Sequence, residues 1–151
     1  MSEHLIFMMG KYEARFPTDR LYVQSHMWFQ AGEGAYRVGF TAFAVRLLQD
    51  VYFLDWTIEP DTVVQARQEI GEIESSKAVS TLHAPADGVL LRFNRDLMKD
   101  PTPINVDNYG KGWLFDFEPK NASFLSAAEY IEFLNGTWED TQRQIKGQMH
   151  E

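Results

Sequence analysis

Lys77 is the residue with the clearest capacity for chemistry. It lies in the stretch EIESSKAVSTL, residues 72–82, where Ser75 and Ser76 precede it and Ala78 follows it. β-prone residues on both sides predict two strands that meet at this point, with Lys77 at the tip of a hairpin. Small neighbours leave the ε-amine open to close approach by another protein. The pattern indicates a lysine presented for modification, although a single lysine in a turn is most often an ordinary exposed side chain.

The other residues that could carry chemistry form no recognisable site. The chain has four histidines: His4, His26, His83 and His150. Their spacing is not that of zinc ligands, and there is no cysteine to join them. Glu72 and Glu74 share one face of a predicted strand, a position typical of a solvated outer surface. Phosphate loops, dinucleotide fingerprints and nucleophile elbows are all missing. The sequence therefore predicts no catalytic residue, no metal site and no enzyme activity.

Composition and charge exclude several classes of partner. The 151 residues carry a formal net charge of −8, and 44% of them are hydrophobic. This predicts one domain with a real core, and its acidity argues against binding to nucleic acid or to an anionic membrane. No apolar run approaches the ~20 residues that a membrane helix needs. The lack of cysteine suits a reducing compartment, so we expect a cytoplasmic protein.

Short β-prone segments at close intervals predict a mainly β (α+β) fold of antiparallel strands. The segments are LYVQ (21–24), AYRVGF (35–40), VYFLDW (51–56), EIGEIE (69–74), AVSTLHA (78–84), VLLRF (89–93) and WLFDFE (113–118). Such spacing is typical of a barrel or sandwich. Alternation within VLLRF predicts that Val89, Leu91 and Phe93 face the core.

Two helices are predicted, one internal and one near the C-terminus. TAFAVRLLQD is typical of a short helix capped by Thr41, and Ser126 with Glu129 forms a capping box that begins the second helix. Asn135-Gly136 is predicted to end that helix. The chain is thereby divided into an irregular N-terminal lead-in (1–18), a compact domain (19–136) and a polar C-terminal tail (137–151).

The segments around Lys77 resemble those of a known family. IESSKAVS followed by HAPADGVL resembles the modification hairpin of glycine cleavage system H proteins, in which the lysine of E-S-V-K-A carries lipoate. The segments QSHMWF, YRVGFTAFAVRLLQDVYFLDW and FNRDLMKDPTPINVDNYGKGWLFDFE continue the resemblance, which spans about Leu21 to Leu134. It implies a barrel-sandwich hybrid with lipoate covalently bound to Lys77. Biotin carriers share this architecture, but their lysine usually lies between methionines, so Ser76 and Ala78 favour lipoate.

The resemblance also implies a role and a set of partners. An H protein shuttles an aminomethyl group during glycine catabolism between glycine decarboxylase, the folate-dependent aminomethyltransferase and dihydrolipoyl dehydrogenase. Its lysine is loaded by a lipoate ligase, or by an octanoyltransferase with lipoyl synthase. Two alternatives stay open. One is an H-protein-like lipoyl carrier in another pathway, such as heterodisulfide-reductase-like sulfur oxidation, and the other is an unmodified binding module of the same fold.

Three departures from the family pattern concern the surroundings of the arm. Met27, Phe43 and Thr81 stand where the family has a glutamate, a histidine and an aspartate. If these three residues converge near Lys77, the lipoyl arm rests against a cleft with less negative charge than usual. A cationic aminomethyl group is then less protected there.

Overall fold

Within the described residues, the fold is built from short strands with four helices around them. The structure, a computed structural model, describes the backbone of residues 3–150 and the side chains of residues 3–142. The strands are β1 (His4–Met9), β2 (Tyr12–Pro17), β3 (Leu21–Val23), β4 (Met27–Ala31), β5 (Tyr36–Phe40), β6 (Val51–Trp56), β7 (Thr62–Val64), β8 (Glu69–Ser75), β9 (Val79–His83), β10 (Asp87–Phe93) and β11 (Phe115–Asn121). The helices are α1 (Ala42–Leu48), α2 (Asp96–Lys99), α3 (Pro103–Val106) and α4 (Ala127–His150).

The strands of the described range form three antiparallel sheets, which confirms the predicted mainly β fold. The sheet orders are β1-β2, β3-β4-β5-β11-β10-β7 and β6-β8-β9. The main hydrophobic core joins the six-stranded sheet to the three-stranded sheet. Its fully buried members include Phe29, Val38, Ile70, Leu90, Phe115 and Phe117. The three-stranded sheet, which contains the Lys77 hairpin, is therefore anchored through its inner face.

The N-terminal segment is a β-hairpin, so the prediction of an irregular lead-in is wrong for residues 4–17. Gly10, with a φ of 66°, lies in the two-residue turn between β1 and β2, where a left-handed residue matches the strand twist. Alternate residues of both strands are buried in a second core cluster, including Phe7 and Phe16. Burial of this apolar face holds the hairpin packed on the rest of the chain.

Helix α4 begins as predicted but does not end where predicted. The Ser126 backbone N–H donates to Glu129 Oε1 at 2.9 Å, and the Glu129 N–H donates to Ser126 Oγ at 3.1 Å. The capping box is thereby confirmed. The helix continues through Gly136, which costs about 1 kcal/mol relative to alanine. Trp138 packs edge-on against Phe7 at 5.5 Å between ring centroids, and this contact favours the longer helix.

In strand β10, Leu90 is buried in place of Val89 and Leu91, while Phe93 packs against the main core as predicted. Leu90 is fully buried, whereas Val89, Leu91 and Phe93 are only partly buried. The pairing of β10 with β11 shifts register between Leu90 and Arg92. Because side chains alternate with a period of two, a local irregularity of this kind reassigns inward and outward positions.

A polar cluster lies among the aromatic rings of the second core. His26 Nδ1 lies 2.8 Å from the Tyr130 hydroxyl, which is 2.9 Å from Thr41 Oγ1. Thr41 also caps α1, as predicted, because its Oγ1 accepts from the Ala44 N–H. The His26 ring packs against Phe43 at 4.6 Å between ring centroids. Burial lowers the pKa of His26 to about 4.

We expect this histidine to make the fold less stable between about pH 6.5 and pH 4. The pKa of His26 is lower in the folded chain than its ordinary value of about 6.5, so the unfolded chain binds the extra proton in this range. Stability then falls as the pH falls, by at most about 3 kcal/mol from this group. Urea unfolding at a series of pH values measures the effect.

The matched control is His26→Asn, because asparagine tolerates the positive φ of 68° at this position. The variant is expected to lose less stability than the native chain between pH 6.5 and pH 4. Equal losses in the two proteins would contradict the assignment to His26.

Candidate modification site

Lys77 lies where the sequence predicted, in the turn between the antiparallel strands β8 and β9. Glu74 and Val79 are the last paired residues before this turn. The Lys77 side chain is exposed, and it forms no ion pair with any side chain of residues 3–142. Its amine is therefore accessible to another protein.

Ser75 holds the backbone of the turn through both its main chain and its hydroxyl. Its backbone N–H donates to the Ala78 carbonyl at 2.9 Å. Its Oγ accepts from the backbone N–H groups of Lys77 and Ala78, at 3.3 and 3.4 Å. Ser75 itself is buried, with 4% of its surface exposed. Serine suits such a turn because its hydroxyl satisfies nearby backbone groups. The backbone of Lys77 is thus fixed while its side chain stays free.

A second set of hydrogen bonds ties the turn to the connection between α1 and β6. The Ser76 N–H donates to the Asp50 carbonyl at 2.9 Å, and the Asp50 N–H donates to Ser76 Oγ at 3.3 Å. Asn105 supports that connection, because its Oδ1 accepts from the Val51 N–H at 2.8 Å and its Nδ2 donates to the Gln49 carbonyl at 2.6 Å. Asp50 and Asn105 are not recognisable as supporting residues in the sequence. Their contacts span 26 and more than 50 residues, so no local motif marks them.

The structure places Met27, Phe43 and Thr81 in three different surroundings, so the condition for a less protected arm is not met. Met27 is buried in the main core and Phe43 in the second core, with 4% and 1% of their surfaces exposed. Thr81 lies exposed on β9, opposite Glu72. Met27 and Phe43 belong to separate cores. Both side chains are apolar, so burial in the interior is favourable for each of them. They form no shared cleft for an arm.

The polar side chains that the structure describes form no metal site. Among residues with described side chains, no three His, Cys, Asp or Glu lie close enough to hold a metal ion. The His26 ring packs against Phe43, Tyr130 and Phe133. His4 and His83 are exposed on strands, and the side chain of His150 lies outside the described residues. None of the helices in the described range is long and apolar enough to cross a membrane.

Comparison with known proteins gives one consistent result. The family described as Glycine cleavage H-protein matches residues 20–136. The Glycine cleavage system H protein of Thermobifida fusca is 37% identical over 122 residues, which cover 80% of this chain and 96% of that protein. The one from Beutenbergia cavernae is 40% identical over 123 residues, which cover 80% of this chain and 97% of that protein.

A solved structure agrees with these relatives. The crystal structure of a glycine cleavage system H protein from Mycobacterium marinum superposes with a TM-score of 0.71 at 38% sequence identity. The match covers 80% of this chain and 99% of that one. The residues matched by the family, 20–136, include the hairpin that presents Lys77. The chain belongs to the glycine cleavage H-protein family, whose members are carriers without catalytic activity of their own.

Proposed function

We propose that this chain is the lipoyl carrier of a glycine cleavage system and that lipoate is attached to Lys77. One observation carries the proposal: in a chain of this family, an exposed lysine without an ion partner among the described residues lies at the tip of a braced hairpin. A modifying enzyme needs an amine that it can reach on a backbone that does not move away. The hydrogen bonds of Ser75 and Ser76 meet the second requirement.

The residues present fit a lipoyl group. An amide with lipoate needs a primary amine free of ion pairs, and the Lys77 amine pairs with none of the side chains that the structure describes. When bound, the group supplies a dithiol–disulfide pair that takes up and releases the carried group. A fixed hairpin defines the base of the arm, which raises the effective concentration of its far end at a docked partner. The chain contains no cysteine, so no thiol of its own competes in disulfide exchange.

The surroundings of the hairpin favour an amine as the carried group. Asp55 is exposed on β6, and Glu72 and Glu74 are exposed and partly exposed on the neighbouring β8, which leads to Lys77. Carboxylates near a cationic aminomethyl group stabilise its charged form. The proposed role has glycine decarboxylase, the aminomethyltransferase and dihydrolipoyl dehydrogenase as partners, and it takes place in the cytoplasm.

Glycine–bicarbonate exchange with purified glycine decarboxylase tests the pathway. We expect the lipoylated protein to support exchange and the unmodified protein to support none, because the aminomethyl group needs the arm. A protein that is lipoylated on Lys77 but supports no exchange would be a carrier in another pathway. A protein that gains no lipoyl group in any host would be an unmodified binding module.

A further inference from the structure

Exposed apolar side chains surround the Lys77 turn. Among the described residues, Tyr52, Phe53 and Val79 expose 61%, 44% and 59% of their surfaces. Val79 is two residues from Lys77, a distance of at most about 7 Å along the chain. Val51 is paired with Ser75, which places Tyr52 beside the same turn. Large apolar groups exposed together mark a surface that contacts a partner.

The pairing of the strands explains why these side chains point outward. The register between β6 and β8 shifts between Val51 and Phe53, so two successive aromatic residues, Tyr52 and Phe53, are both exposed. Phe53 lies opposite Glu74, which lies opposite Val79. Tyr52, Phe53 and Val79 thus lie in or beside the first row of the sheet below the turn. β-bulges often aim side chains in this way next to functional sites.

The second row of the sheet is acidic. Asp55 lies directly opposite Glu72, and neither carboxylate forms an ion pair within the described part of the chain. Like charges opposite each other on neighbouring strands destabilise a sheet. A basic partner removes this repulsion when it binds, and it is attracted by the net charge of −8.

We propose that Tyr52, Phe53, Val79, Asp55 and Glu72, the hairpin face, form the docking surface for the enzyme that acylates Lys77. The inference rests on the proposed function, because it needs Lys77 to be the modified residue. The partner presents an apolar pocket with a basic rim. Aromatic anchors in a pocket provide most of the binding energy at such interfaces, and the charges on the rim guide the encounter.

The acylating enzyme fits this face better than the enzymes that act on the arm. The ammonium group of Lys77 first gives one proton to solvent, and the neutral Nζ attacks the acyl carbon of a lipoyl adenylate. The amide N–C bond forms, a second proton passes from the nitrogen to solvent, and the bond from that carbon to the phosphate oxygen breaks, which releases AMP. This reaction takes place at the end of the Lys77 side chain, so the enzyme has to hold the turn itself. The enzymes of glycine cleavage act at the far end of the arm and have no such need.

Steady-state lipoylation of the unmodified full-length protein tests the docking surface. The assay uses a purified bacterial lipoate ligase with ATP and lipoic acid. For the double variant Tyr52→Ser, Phe53→Ser we expect KM to rise about 10-fold or more, with kcat nearly unchanged, because the anchors bind before the reaction. The matched control is Ile6→Ser, Val63→Ser, which removes two exposed apolar side chains from the other two sheets. Its KM should equal that of the native protein.

The acidic row is tested separately with Asp55→Asn, Glu72→Gln. We expect its KM to exceed that of the native protein at low salt and the two to converge at high salt, because salt screens exposed charges. A native KM for the aromatic variant overturns the docking surface, as does an equal rise in the Ile6→Ser, Val63→Ser control. Lipoylation of Lys77→Arg overturns the proposed function instead, so the two failures are distinguishable.

Discussion

Lys77→Arg is expected to fold like the native chain and to gain no lipoyl group. Arginine keeps the positive charge and the approximate length of lysine, and the Lys77 side chain is exposed without an ion partner among the described side chains. Its guanidinium group stays protonated and does not form the amide with lipoate. Glycine–bicarbonate exchange should disappear with the modification. Intact mass after co-expression with a lipoate ligase measures the change.

Lys120→Arg is the matched control for this experiment. Lys120 is exposed on β11 in the six-stranded sheet, whereas the Lys77 hairpin belongs to the three-stranded sheet. Replacement of Lys120 should therefore leave both the lipoyl mass and glycine–bicarbonate exchange at native levels. Thermal unfolding of all three proteins checks that the fold is unchanged. Finding the lipoyl mass on folded Lys77→Arg would place the modification on another lysine.

Phe16→Ala is expected to lower the free energy of unfolding by about 3–5 kcal/mol. Phe16 is fully buried on β2, and its ring packs edge-on against Tyr22 and Tyr130 at 6.0 and 5.1 Å between centroids. Removal of the ring leaves a cavity between the N-terminal hairpin and α4, which cannot collapse without moving either element. Urea denaturation at pH 7 measures the loss.

Ile6→Ala is the control on the same hairpin. Ile6 exposes 47% of its surface on the outer face of β1, so we expect its replacement to change the free energy of unfolding by about 0.5 kcal/mol or less. A similarly small effect of Phe16→Ala would mean that the hairpin adds little to the core. The expected contrast would instead show that the segment before residue 20 is an integral part of this fold.

Features that depend on neighbouring residues were predictable from the sequence. Thr41 caps α1, and Ser126 with Glu129 begins α4, because each cap satisfies backbone N–H groups within one helical turn. The position of Lys77 between β8 and β9 was predictable for the same reason, since the small polar residues of the turn and the β-prone flanks act locally.

Features that depend on distant contacts were not predictable in this way. The alternation in residues 89–93 did not predict that Leu90 is buried while Val89 and Leu91 are only partly buried, and the register shift against β11 after Leu90 interrupts that alternation. Gly136 is a common helix terminator, yet α4 passes through it while Trp138 packs on Phe7. Local propensity is worth about 1 kcal/mol at such a position, and packing against a core outweighs it.

The same distinction between local and distant contacts applies to the Lys77 site. The sequence by itself determined that one lysine lies among small residues at a turn, and that its surroundings resemble the H-protein hairpin. Only the tertiary structure decided that Asp50 and Asn105 brace that turn, and that Met27 and Phe43 are buried in different cores. The reason is physical: a turn is held by residues next to each other in the chain, whereas a brace and a core join residues that only folding brings together.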